Sequence, residues 1–123
     1  LAARAFGAKQ TWFLVNGTSG GIHAALMATS TQSATVHAIQ EGERTLLMSR
    51  NCHLSVFAGL ALTGSSPEYV MPQYDDEWAL AHGVLPTDVE AALARLHAIK
   101  GGKHDCAGQQ PCDAVIVVSP TYF

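Results

Sequence analysis

Residues 13–28, FLVNGTSGGIHAALMA, decide how this chain is read. An apolar run stops at Asn16-Gly17-Thr18-Ser19-Gly20-Gly21 and then resumes with helical spacing. Glycines at such a junction permit a tight turn and let a bulky group approach the backbone. Residues 11–15 (TWFLV) are therefore expected as a strand, with residues 22–28 (IHAALMA) on the helix that follows.

The same alternation recurs downstream. Residues 45–49 (TLLMS) read as a second strand and residues 54–62 (LSVFAGLAL) as a second helix, closed by Gly64. Residues 67–71 (PEYVM) read as a third strand. Thr87 with Glu90 three residues on forms a capping box, followed by Val89, Leu93 and Leu96 on one buried face. Residues 114–118 (AVIVV) are apolar throughout, as a central parallel strand must be. The pattern predicts an α/β fold with a mostly parallel sheet and helices on both faces. Right-handed crossovers then bring the strand C-termini to one edge.

Two stretches exceed this minimal unit, residues 30–43 and 100–113, and both read as surface insertions. Residues 1–8 (LAARAFGA) read as the last turns of a helix ending near Gly7, and the other end stops as a strand gives way to a turn. The chain is expected to be one incomplete domain, a piece of something larger.

Composition narrows the function classes. With 48% hydrophobic and 14% charged residues among 123, a folded core is expected rather than disorder. A net charge of −3 argues against nucleic acid or an anionic membrane as a partner. No apolar run approaches the roughly 20 residues needed to cross a bilayer. Cys52, Cys106 and Cys112 are too few for a disulfide scaffold. Cys106 and Cys112 with His104 match no standard zinc spacing, so they read as thiols in a surface insertion, and no metal is expected.

Ligands of open α/β sheets bind beyond the carboxyl ends of the strands. Three expected strand ends carry chemistry: NGTSGG at 16–21, RNCH at 50–53 and SPTY at 119–122. In the first, Thr18 and Ser19 supply hydroxyls and the following helix supplies free amides and a positive dipole end, which suits a phosphate. The motif lacks the Walker lysine and does not fit GxGxxG, and an ordinary Gly-rich turn with a hydroxyl cap explains it too. His53 could stack on a flat ring or move a proton, but alone it reads more plainly as a packed or capping histidine. Arg50 suits an anion or a carboxylate, Asn51 a helix cap, and Cys52 buried filling. Pro120 enforces a turn, so Thr121 and Tyr122 matter only by position.

Together, FLVNGTS, RNCHLS and SPTY in this order resemble the pyridoxal-phosphate-dependent Orn/Lys/Arg decarboxylases of the major class, over nearly the whole chain. The resemblance implies the N-proximal part of an aspartate-aminotransferase-like (PLP fold type I) large domain. It implies that Thr18 and Ser19 hold the phosphate of pyridoxal 5′-phosphate (PLP) and that His53 stacks on its ring. Gly17, Gly20 and Thr121 are further candidate contacts. Leu54 stands where many relatives carry Lys, and Ile22 where some carry Asn.

In the family, the Asp that pairs with the ring nitrogen and the Lys that holds PLP covalently lie downstream of SPTY. No catalytic residue is therefore expected within these 123 residues, and this piece alone is expected to be inactive. The whole protein is implied to be a homo-oligomeric decarboxylase of a small basic amino acid. Another fold-type-I enzyme, an aminotransferase or lyase, is the alternative within the fold, and RNCH speaks against it. A non-catalytic α/β module for a phosphorylated metabolite is the alternative outside it.

Overall fold

Leu46, Leu47 and Met48 are almost wholly shielded from solvent, which makes their strand the centre of the sheet. The computed structural model describes residues 1–32, 44–101 and 112–118. In chain order the elements are α1 (Ala2–Ala5), α2 (Gly17–Gln32), β1 (Thr45–Ser49), α3 (Leu54–Thr63) and β2 (Ser66–Val70). There follow β3 (Tyr74–Asp75), β4 (Leu80–Ala81), α4 (Pro86–Gly101) and β5 (Ala114–Ile116). β1 pairs in parallel with β2 on one side and β5 on the other, with Met48 opposite both Tyr69 and Ile116. The predicted α/β class with a parallel sheet is what forms.

Period-two alternation along β1 builds two cores, one on each face of the sheet. Leu46 and Met48 pack with Leu26 of α2, with Cys52 just before α3 and with Val56 in its first turn. Leu47 points the other way, into a cluster with Val70 and with Ala92 and Leu96 of α4. Helices thus cover both faces, as expected. Among the described residues, however, the central strand shielded on both sides is β1, with neighbours on both edges. β5 is shorter than expected, and Val115 and Val117 remain exposed.

α2 and α3 pack closely because Gly59 has no side chain. A β-carbon there would collide with Cδ1 of Leu26. α3 starts at Leu54 and closes on Gly64, whose φ of 66° and ψ of 20° are left-handed, with its amide donating to the Leu60 carbonyl at 2.9 Å.

Residues 11–15 do not form a strand. Trp12, Phe13, Leu14 and Val15 are 72, 84, 53 and 94% exposed. A strand is completed by its neighbour. Both edges of β1 are taken by β2 and β5, and no described strand lies beside this segment. α4 begins at Pro86, not after a Thr87 cap: the Asp88 and Val89 amides both donate to the Leu85 carbonyl. Proline has no amide to satisfy and its φ suits a first helical position, so it outranks the capping box. Val89, Leu93 and Leu96 do face the core, joined by Ala92.

Residues 30–32 end α2 and residues 100–101 end α4, so these parts of the two stretches are helix. Asp113 belongs to the sheet: its amide donates to the Thr45 carbonyl, and its Oδ2 accepts the Thr45 amide, both at 2.8 Å. The remaining parts of both stretches, with His104 and Cys106, lie outside the described residues, as do residues 119–122. Among the described residues no cluster of His, Cys, Asp or Glu is placed to hold a metal, and no helix is long and apolar enough to cross a membrane.

The β3–β4 hairpin was not anticipated. Asp75 Oδ1 accepts the amides of Glu77 and Trp78 at 2.9 and 3.0 Å, an Asx turn that reverses the chain. Ala79 takes a positive φ of 51° to complete it.

Candidate functional site

The site begins where α2 begins. Gly17, with φ of +75°, turns the chain into the helix in a conformation that a β-carbon would strain. Close by, Gly21 lets Leu14 lie against the helix, since a β-carbon would overlap Leu14 Cδ1. The expected turn is therefore already helix, and Thr18 and Ser19 lie in its first turn. There the backbone amides have no intrahelical partner and the dipole is positive.

The second component follows β1. The Arg50 amide continues the ladder to the Val70 carbonyl at 3.0 Å, and the Cys52 amide returns to the Ser49 carbonyl at 3.2 Å. Asn51 is not a helix cap. Its Oδ1 accepts the hydroxyl of buried Ser49, and its Nδ2 donates to the His82 carbonyl at 3.2 Å, tying this loop to the segment after the hairpin. Arg50 sits over the rings of Tyr69 and Phe57, 5.2 and 5.7 Å from their centroids, so its charge meets aromatic faces rather than an anion or carboxylate. Cys52 is buried as expected, and that burial pushes its thiol above the usual range, keeping it protonated and unreactive.

His53 is the residue that caps α3. Its Nδ1 accepts the Ser55 amide at 3.2 Å and lies 2.8 Å from the Ser55 hydroxyl. An amide can only donate, so Nδ1 is the bare nitrogen and the ring proton sits on Nε2. The plain capping role and exposure of the ring thus coexist: His53 is solvent-exposed while fixed from behind.

These two components meet. A cavity of about 720 Å³ runs between α2 and β5, with Thr18 and His53 among its lining residues and Ile22, Leu26, Val56 and Ile116 in its apolar wall. That volume suits a small organic ligand. Its lining joins a hydroxyl from an amide-rich helix start, fit for an anion, with an imidazole face and apolar walls, fit for a flat ring. Ser19, Gly17 and Gly20 do not line it. One residue along a helix rotates the side chain by about 100°, which turns Ser19 away from a cavity that Thr18 lines. A β-carbon on Gly20 would make only ordinary contact with Asn16, at 3.6 Å. Thr121 lies outside the described residues. Sequence reasoning missed Ser55, and the signal for it was the unanswered question of what satisfies a histidine at a helix start.

Fold and site together define an α/β domain with a cavity between its first long helix and an outer strand of a parallel sheet. All of residues 1–123 match the family described as Orn/Lys/Arg decarboxylase, major domain, and the chain belongs to that family. It is similar to the arginine decarboxylase of Halalkalibacterium halodurans, at 32% identity over all of this chain and 20% of that protein. The biodegradative arginine decarboxylase of Escherichia coli is 31% identical over 94% of this chain and 14% of its own length. Lysine decarboxylase LdcA of Pseudomonas aeruginosa is 33% identical over 61% of this chain and 9% of its own. The chain thus spans about a fifth of the length of the first curated relatives. No solved structure matches it.

Proposed function

We propose that this chain is the N-proximal part of the PLP-binding domain of a basic amino-acid decarboxylase. The observation that carries this reading is the joint placement of Thr18 and His53 on one cavity. Family membership and the names of the relatives, arginine and lysine decarboxylases, support it.

In this reading the Thr18 hydroxyl and the free amides of the first turn of α2 hold the coenzyme phosphate through charge-assisted hydrogen bonds. Ser19 contributes from the same turn without lining the cavity. The neutral imidazole of His53 supports the aromatic plane, and Leu26, Val56 and Ile116 keep water from it. PLP, when bound, would supply the electron sink for the pair left on the α-carbon as the carboxylate departs as carbon dioxide. The residues described here bind and orient; none of them is assigned a proton-transfer or covalent step. The substrate is a small basic amino acid, lysine, arginine or ornithine, and the whole protein is a homo-oligomer.

The test is direct. The full-length protein, purified and assayed for bound PLP and for carbon dioxide release from the three amino acids, is expected to carry the coenzyme and to decarboxylate at least one of them. A protein without PLP, or one with PLP that releases no carbon dioxide, contradicts the proposal.

A further inference from the structure

His53 is exposed, yet its orientation is set by a residue that is not. Ser55 is 5% exposed, and it places both its amide and its hydroxyl on the Nδ1 of His53, at 3.2 and 2.8 Å. The amide alone would satisfy an ordinary helix cap. The hydroxyl adds a second donor to the same nitrogen, and only the tautomer with its proton on Nε2 accepts both. Two hydrogen bonds from adjacent points also restrict rotation of the ring about χ2, which is otherwise broad for histidine.

We infer that Ser55 is a positioning residue: with the tautomer already set by its amide, its hydroxyl fixes the ring plane of His53 at the cavity. This rests on the coenzyme reading above, in which His53 supports a flat ring. A ring free to turn would present its face only part of the time, so loss of the Ser55 hydroxyl lowers the fraction of molecules ready to bind. The effect of Ser55 passes entirely through His53, which makes it separable from a general packing effect.

A double-mutant cycle on PLP affinity in the full-length protein, measured by titrating the apoprotein, tests this. His53→Ala is expected to weaken binding. Ser55→Ala is expected to weaken it about three- to tenfold, the size of one hydrogen bond, when His53 is present. It should have no further effect in the His53→Ala background. Ser55→Thr, which keeps the hydroxyl, should bind close to the parent protein. Should Ser55→Ala fail to fold, Ser55→Cys keeps the volume with a weaker donor and is expected to show the same His53-dependent loss.

An equal loss in both backgrounds overturns the inference, because Ser55 would then act without His53. So does a Ser55→Ala protein that binds normally while His53→Ala does not, and that result leaves the coenzyme reading standing. If His53→Ala itself binds PLP normally, the role given to His53 fails, and this inference fails with it.

Discussion

Leu26 of α2 occupies the space that a β-carbon on Gly59 of α3 would need, and the same leucine forms part of the cavity wall. One contact thus joins the packing of the two helices to the wall of the site. Gly59→Ala gains about 1 kcal/mol of helix propensity but overpacks the contact by about 1–3 kcal/mol. The net expectation is a modest loss of stability, read as a lower Tm of the full-length protein. Because Leu26 also lines the cavity, its displacement should change the cavity wall, and the variant should bind PLP more weakly.

Leu47 is wholly buried and is the β1 side chain facing α4. Leu47→Ala should destabilise by about 2–5 kcal/mol, whereas Leu62→Ala, at a leucine 59% exposed, should change stability by less than about 0.5 kcal/mol. Denaturant midpoints of the two variants compared with the parent check both values.

Asn51 links the buried Ser49 hydroxyl to the His82 carbonyl. Asn51→Ala leaves that buried hydroxyl without its partner, an expected cost of about 1–3 kcal/mol. The loop carrying His53 should loosen as well, seen as faster amide exchange over residues 50–53. Unchanged exchange there would mean that the loop does not depend on this link.

The Asp75 carboxyl is held below its usual range, first by the Trp78 amide and further by the Glu77 amide and by His82, whose Nε2 lies 3.7 Å away. A depressed folded value means that its contribution is present above the unfolded value and is lost as pH falls through the folded one. The hairpin should therefore loosen only in acid, below about pH 4, the ordinary carboxylate range. The protection factors of the Glu77 and Trp78 amides, followed against pH, should fall there, and Asp75→Ala should show the same fall at neutral pH.

The parts legible in the sequence are those whose signal is local. β1 was readable to the residue because both its faces are apolar, and α3 because its start and its left-handed Gly64 are short-range features. Residues 11–15 carry a strand's composition, but strands depend on neighbours that composition cannot show. The hairpin was hidden because its strands are two residues long and its turn rests on the Asp75 side chain. At the site, Thr18 and His53 could be found from their positions after apolar runs. Ser19 lies in the first turn of α2 and does not line the cavity, because the helix begins where a loop was expected. Arg50 and Asn51 were misread because their partners, Tyr69 and His82, are distant in sequence.

On the proposed reading, Thr18 and His53 serve one coenzyme. The most direct test of that reading is the PLP dissociation constant of the full-length apoprotein measured for Thr18→Ala, Ser19→Ala, His53→Ala and the Thr18–Ser19 double variant. Weaker binding is expected for Thr18→Ala and His53→Ala, a smaller loss for Ser19→Ala and the largest loss in the double variant. Parent-like constants for both Thr18→Ala and His53→Ala would contradict it.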